Sequence, residues 1–308
     1  MTSFATELEA VMESRRVYIR GKINYGISEK FQRFADATVS KRDKDLFVVL
    51  HDYDRGATFG HWKYPDDWYT HWNTAYGRPS LDDLRERKEA VLKRKQEQIY
   101  ERSKAQWRAK EFFNKFYVSR DATRHPYVIK KRFYPYLSRQ VRSWLLVPIR
   151  DIDYDLMTVQ IIKPDGFKRL WKKTSQKGNM IWICDPLPEN YDGVIRICEG
   201  YATGCTIHQV TQSPVICAIS AGNLLDTAVL VRQKFIDAII KICADNDQYG
   251  ESNTGIIHGR AAALVTGSAL HYPVFDNISQ RDKPTDYNDL FALCGAKEVK
   301  RQLITIRE

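Results

Sequence analysis

Apolar residues first recur at helical spacing at Phe4, Leu8, Val11 and Met12, which predicts a short amphipathic helix over residues 1–14. From Tyr18 the pattern turns strand-like. The runs VYIRGKINYG, FQRFAD and DLFVVLHDYDRGATFGHWKY alternate apolar and polar positions and break at Gly, Asp and Asn, predicting a small β-rich module over residues 1–78. A long helix follows over 79–119. Pro79 precedes Ser80 as N-cap, and Asp82 and Asp83 fall in the first turn, where the helix dipole favours anions. Between Arg85 and Gln98 only Ala90, Val91 and Leu92 are apolar, too few for a packed face. If continuous, this solvated spacer would span roughly 50–60 Å at 1.5 Å per residue. Trp107, Phe112, Phe113 and Phe116 are expected to dock its end onto the next domain.

Residues 120–190 form a second β-rich segment, with strands predicted at 143–149, 157–162, 168–171 and 179–184. Pro164, Asp165 and Gly166 make a turn with a mechanism: the proline pre-sets φ, the aspartate bonds the local backbone, and the glycine accepts positive φ. From residue 191 to 308 β-branched runs alternate with helical patterns. Strands are expected at GVIRIC, PVICAI and IIKICA, with a short run near 270–275. Helices are expected over 203–212, 224–235 and 253–266, and from Tyr287 onward. That alternation implies an α/β domain, a parallel sheet flanked by crossover helices. In a doubly wound order the first and third strands are neighbours, and residues just past their carboxyl ends share one crevice. Glu199 closes the first of these strands, and Asp245 and Asp247 close the third.

The 308 residues are 43% hydrophobic and 12% aromatic, enough for two cored domains. A net charge of +10 suits an anionic partner such as nucleic acid. It concentrates around the Pro164–Gly166 turn, where Lys163, Lys168, Arg169, Lys172, Lys173 and Lys177 form a basic ridge with Asp165 as the sole acid. In the N-terminal module Tyr53, Phe59, Trp62, Tyr64, Trp68, Tyr69 and Trp72 lie among Lys, Arg and His. They are either a core or stacking platforms for single-stranded bases. No two of the six cysteines stand at C-x-x-C spacing, so zinc is not expected, and Cys198, Cys217 and Cys243 sit in apolar runs as buried hydrophobes do. A reducing, cytoplasmic setting follows from that usage. No signal-peptide core or apolar run near 18 residues is present, and no membrane association is expected.

The acids carry the chemistry. An Asp-x-Asp after a buried strand projects two carboxylates to one side, which suits Mg²⁺ with waters and substrate phosphates, and two such ions can clamp a phosphoryl transfer. A structural reading stays open for Glu199 and Asp247 individually, as caps of the helices that follow.

The ordered series EGYATG at 199–204, AGNL at 221–224, ADND at 244–247, GRAAALVTG at 259–267 and DYNDL at 286–290 resembles the Toprim domain of primases encoded by phages and conjugative plasmids. The likeness extends upstream to HPY at 125–127 with Lys131, LLVPIRD at 145–151, the PDG-x-KR hairpin, and FGHW at 59–62. The resemblance implies an enzyme that builds short RNA primers on single-stranded DNA from nucleoside triphosphates, with Mg²⁺ or Mn²⁺ in a two-metal site. By position, Glu199 would be the general acid/base or a metal ligand, and Asp245 and Asp247 metal ligands, with Asp289 a further candidate. Asp286, Asn288 and Asp289 match the distal acidic motif. Lys168, Arg169, Lys172, Lys177, Lys131, Gly200, Thr203, Gly204 and Asn223 would meet nucleotide or template.

The sequence contains no G-x-x-x-x-G-K-[ST] loop, so it is not expected to unwind DNA by that route, and no zinc-ribbon spacing, so template choice falls to the N-terminal module or to a partner, a separate helicase or replication initiator being the candidates. Two rivals use the same residues. One is a metal-dependent Toprim nuclease, the other a non-catalytic single-stranded DNA-binding protein. A Toprim topoisomerase needs a dedicated nucleophilic tyrosine domain, and none is recognisable.

Overall fold

A computed structural model describes residues 3–39, 44–51, 54–62, 64–73, 81–116, 122–275 and 283–304. The expectations for Tyr53, Pro79, Ser80 and the Asp83 side chain lie outside the described residues. The chain forms two units, Met1–Gln96 and Glu97–Glu308.

In the first unit, helix α1 (Phe4–Ser14) begins where the Ser3 hydroxyl accepts from the Thr6 amide, and it buries Phe4, Leu8 and Met12. It covers one face of a five-stranded antiparallel sheet in sequence order: β1 (Ile19–Arg20), β2 (Gln32–Asp36), β3 (Leu46–His51), β4 (Gly56–His61) and β5 (Tyr69–Trp72). Alternation along β3 and β4 sends Val48, Leu50 and Phe59 into that core. The aromatic run divides. Phe59 is fully buried, while Trp62, Tyr64 and Trp68 stay 40%, 58% and 39% exposed.

Helix α2 (Leu81–Lys115) runs unbroken for 35 residues. Its described side chains between Arg85 and Gln98 are all exposed, as their polarity requires. In the second unit its end buries Ala105, Ala109 and Phe113, with Phe112 and Phe116 half-buried. Trp107, expected to dock with them, is 62% exposed. The buried set recurs every three or four residues, and position 107 falls between Ala105 and Ala109, off that face.

Helix α3 (Pro126–Lys131) leads into a four-stranded antiparallel sheet: β6 (Arg139–Val141), β7 (Trp144–Arg150), β8 (Leu156–Ile162) and β9 (Lys168–Leu170). The turn between β8 and β9 is as its residues dictate. Gly166 has φ 93°, and Asp165 accepts from the Phe167 amide at 2.9 Å. Both faces of this sheet are covered. Leu146, Val159 and Ile161 meet Ala109 and Phe113 of α2, and Leu145, Val147, Ile149 and Ile162 join the core of the α/β domain.

That domain comprises β10 (Ile181–Trp182), β11 (Val194–Cys198), α4 (Tyr201–Thr211), β12 (Val215–Cys217), α5 (Leu224–Lys234), β13 (Ile239–Cys243), α6 (Thr254–Thr266), β14 (Ala269–His271) and α7 (Tyr287–Ile304). The strand order is β10-β12-β11-β13-β14, parallel except for β10. The first and third parallel strands are neighbours, as a doubly wound order requires. These strands read as near-continuous apolar runs because helices cover both faces. Ile195, Ile197, Ile240 and Ile242 lie beneath α5 and α6, and each such burial contributes about 1.5–3 kcal/mol. Cys198, Cys217 and Cys243 are buried, as their apolar runs require.

The strand expected at 179–184 shrinks to Ile181–Trp182, and it pairs with β12 of the α/β sheet instead of extending the basic sheet. Just before it, Met180 bridges to Arg150 of β7. The segment therefore ties the two sheets together within one unit. Helix α4 starts at Tyr201, earlier than Thr203, because Gly200 in extended backbone serves as its N-cap. Among the described residues no helix is long and apolar enough to cross a membrane.

Candidate active site

Parallel pairing of β11 with β13 sets Cys198 opposite Cys243, so Glu199 and Asp245 leave the sheet at the same end. Asp286, just before α7, joins them. Burial and neighbouring acids raise the proton affinity of Asp245, Glu199 and Asp286. Burial first, then Asp286, Glu199 and Asp247, push Asp245 well above the carboxylate range, with Lys168 opposing. Burial and then Asp247 raise Glu199, against the Ala221 amide and Lys168. Burial and then Asp289 raise Asp286, against Lys131, the Asp289 amide and the Thr203 hydroxyl.

The acids differ in what they still offer. Asp286 accepts from the Asp289 amide at 2.7 Å and the Thr203 hydroxyl at 3.0 Å. Asp289 accepts from Lys131 and the Thr285 amide, each at 3.0 Å. Asp247 spends one oxygen on the Gly255 amide at 2.8 Å, at the positive end of α6. Asp245 alone among them holds a buried oxygen, Oδ1, with no protein partner. Such an atom costs on the order of 1–3 kcal/mol unless something else meets it.

Gly255 and Asn253 escaped the sequence reading. A Cβ on Gly255 would stand 2.3 Å from the Asp245 carbonyl oxygen, so only glycine lets α6 start against this loop. Asn253 caps α6 and accepts from the Asp247 amide at 2.9 Å. An Asn just before a small-residue helix was the available signal.

Two cations face the acids. Burial opposes the charge on Lys131, but Asp286 and Asp289 outweigh it and raise its pKa. Lys168 reaches over the Tyr127 ring, its Nζ 5.6 Å from the centroid. Desolvation lowers its pKa despite Asp286, Asp245 and Glu199, although the residue as a whole is exposed.

Other expected contact residues serve the framework. Asn223, 4% exposed, donates to the carbonyls of Asn179 at 2.9 Å and Ala218 at 3.0 Å and accepts from the Gly178 amide at 3.3 Å. It clamps the loop that carries the exposed Lys177. Gly204 is buried against the sheet, where a Cβ would lie 2.2 Å from Cys217 Sγ. Asn288 is fully buried and donates to the Lys131 carbonyl at 2.7 Å and Thr206 at 2.9 Å. At Gly200, the helix entrance, a Cβ would lie in ordinary contact, 3.6 Å from Thr203 Oγ1. Arg169 and Lys172 lie away from the acids. Arg169 pairs with Ile161 and Lys168 with Ile162, so the adjacent cations project from opposite faces of the sheet.

Among the described residues no three His, Cys, Asp or Glu side chains converge closely enough to hold an ion as they stand. The donor chemistry nevertheless fits a hard divalent cation. The donors are carboxylate oxygens, one of them buried and uncommitted, in a cluster whose mutual repulsion a cation would relieve.

Residues 194–297 match the family described as the Toprim domain, and this stretch carries Glu199, Asp245, Asp247 and the run from Asp286 to Asp289. The chain is 32% identical over 136 residues to DNA primase TraC of Escherichia coli, a match covering 42% of this chain and 12% of that protein. It thus spans a small fraction of that relative's length. Among solved structures it is similar to the primase fragment of the bacteriophage T7 primase-helicase protein, at 15% identity and TM-score 0.41, covering 54% of this chain and 66% of that one. It is also similar to the Aquifex aeolicus primase (zinc binding and RNA polymerase domains), at 13% identity and TM-score 0.42, covering 98% and 85%.

Proposed function

We propose that this chain is a Toprim-type DNA primase, which makes short RNA primers on single-stranded DNA from nucleoside triphosphates in phage or plasmid replication. One observation carries the reading: in a Toprim domain, Asp245 keeps an uncommitted buried oxygen beside Glu199 and Asp247, with Lys168 facing them. Asp245 and Asp247 would hold Mg²⁺ or Mn²⁺, with Glu199 beside them. When bound, the ion supplies positive charge for the phosphoryl oxygens and the attacking hydroxyl.

The chain's own groups do the rest. Lys168 binds phosphate oxygens at the mouth of the crevice, and Lys177, on the loop clamped by Asn223, extends that contact toward the template. Lys131 keeps Asp286 and Asp289 in place through its 3.0 Å bond to Asp289. Glu199, with its raised pKa, accepts the proton of the attacking 3′-hydroxyl on a carboxylate oxygen. The new bond joins the 3′-oxygen of the primer to the α-phosphorus as the bond to pyrophosphate breaks. Strand separation would come from a separate helicase.

The test incubates the purified chain with mixed-sequence single-stranded DNA, Mg²⁺ or Mn²⁺ and labelled nucleoside triphosphates. New labelled oligonucleotides are expected, and Asp245→Asn and Glu199→Gln should abolish them while both variants remain folded. Undiminished synthesis by both variants would overturn the site. Shortened template without nucleotides would make the chain a nuclease, and salt-sensitive binding with no product would make it a binding protein.

A further inference from the structure

The basic ridge read from the sequence is two surfaces. On β9, Lys168 shares the face of Ile162, toward Tyr127 and the acids, whereas Arg169 shares the face of Ile161, toward Trp144 and α2. On that second face, between the end of α2 and the back of the β6–β9 sheet, lies a cleft of about 440 Å³. Its lining includes Lys104, Arg108, Arg169 and Lys172, together with Trp144 and Trp171. All four cations are exposed, and none makes an ion pair among the described residues. The one acid in the wall, Glu101, pairs with Lys173 at 2.8 Å and feels Lys104 and Arg108 only more weakly, through space.

This arrangement does not serve folding. Lys104 and Arg108 stand four apart on one helix face, a like-charge pairing that destabilises a helix, and Arg169 and Lys172 add to the repulsion. Both tryptophans are only partly buried, and the Arg169 guanidinium lies 5.8 Å from the Trp144 ring. Cations that track a phosphate backbone, interleaved with flat rings that stack on bases, are the components of single-strand recognition.

We infer that this cleft is a second binding site, for single-stranded nucleic acid, on the side of the sheet away from the carboxylates. An acidic peptide would satisfy the cations but gain nothing from the indoles. The site does not depend on the chemistry proposed for the crevice. It would hold a strand outside the reaction centre, so that the chain keeps its template while the reacting end moves.

The test uses the full chain in chelator, without nucleotides, and follows the anisotropy of fluorescein-labelled oligothymidylate across a salt series. The Arg108→Gln/Arg169→Gln variant is expected to bind about tenfold more weakly at 150 mM salt and to lose about two from the slope of log K against log[salt], one per phosphate contact. Lys104→Gln/Lys172→Gln, which changes only exposed side chains, should do the same. Asp245→Asn should not weaken binding, which separates this site from the crevice. Unchanged affinity and slope in both double variants, with their thermal melts intact, would overturn the site. Oligoglutamate of the same length competing as well as unlabelled oligothymidylate would overturn its assignment to nucleic acid.

Discussion

Asp245 holds a buried oxygen without a protein partner, in the field of Asp286, Glu199 and Asp247. Its raised pKa makes it a liability whenever it is ionised and no cation is present. An acid raised in the folded chain binds its proton more tightly there than when unfolded. Stability is therefore present at low pH and falls as pH rises from the ordinary 3.8 through the raised value, reaching its minimum above it. A tenfold difference in proton affinity between the folded and unfolded chain corresponds to about 1.4 kcal/mol. In chelator at pH 8, Asp245→Asn should therefore be more stable than the wild type by on the order of 1 kcal/mol, and the gap should close as pH falls toward 4. Urea denaturation at several pH values measures it. A gap independent of pH would mean that Asp245 is not the strained group.

The elements that present these groups were legible to different depths. β11 and β13 could be read because strands buried on both faces are continuous apolar runs, and an acid at the end of such a run must emerge at the sheet's edge. What periodicity leaves open is which face, and which neighbour, a residue meets. Lys168 and Arg169 are adjacent in the chain and project oppositely, and Ile181–Trp182 joins a sheet that its own apolarity could not specify. Asn223 shows the same limit: an Asn between a strand and a helix reads as a ligand contact or as a clamp, and only its partners decide. They are the Gly178 amide and the Asn179 and Ala218 carbonyls. Asn223→Ala would strand these buried groups at a cost of about 2 kcal/mol or more. Urea denaturation should show that loss. A near-zero cost, with template affinity reduced, would restore the residue to the nucleotide-binding role its motif suggested.

At the scale of the whole second unit, the antiparallel sheet is a partition. One apolar layer, with Leu145, Val147 and Ile162, seals it against the acid-bearing domain, and another, with Leu146, Val159 and Ile161, seals it against α2. By sequence pattern 120–190 and 191–308 read as separate domains. In the structure their cores are continuous and lie in one unit with the end of α2. A partition of this kind transmits packing while it holds the charges on its two faces apart, and Arg169 on the far face is exposed to screening solvent, so the two neighbouring cations should behave differently toward the same acid. Lys168 senses Asp245 directly. Arg169 lies across the apolar layers. A double-mutant cycle on stability, in chelator at pH 8, should therefore give a coupling of at least about 0.5 kcal/mol between Lys168→Gln and Asp245→Asn. Between Arg169→Gln and Asp245→Asn the effects should add to within about 0.3–0.5 kcal/mol. Coupling of equal size in both cycles would show that the sheet does not separate the two faces, and a single continuous basic surface would then replace the two sites.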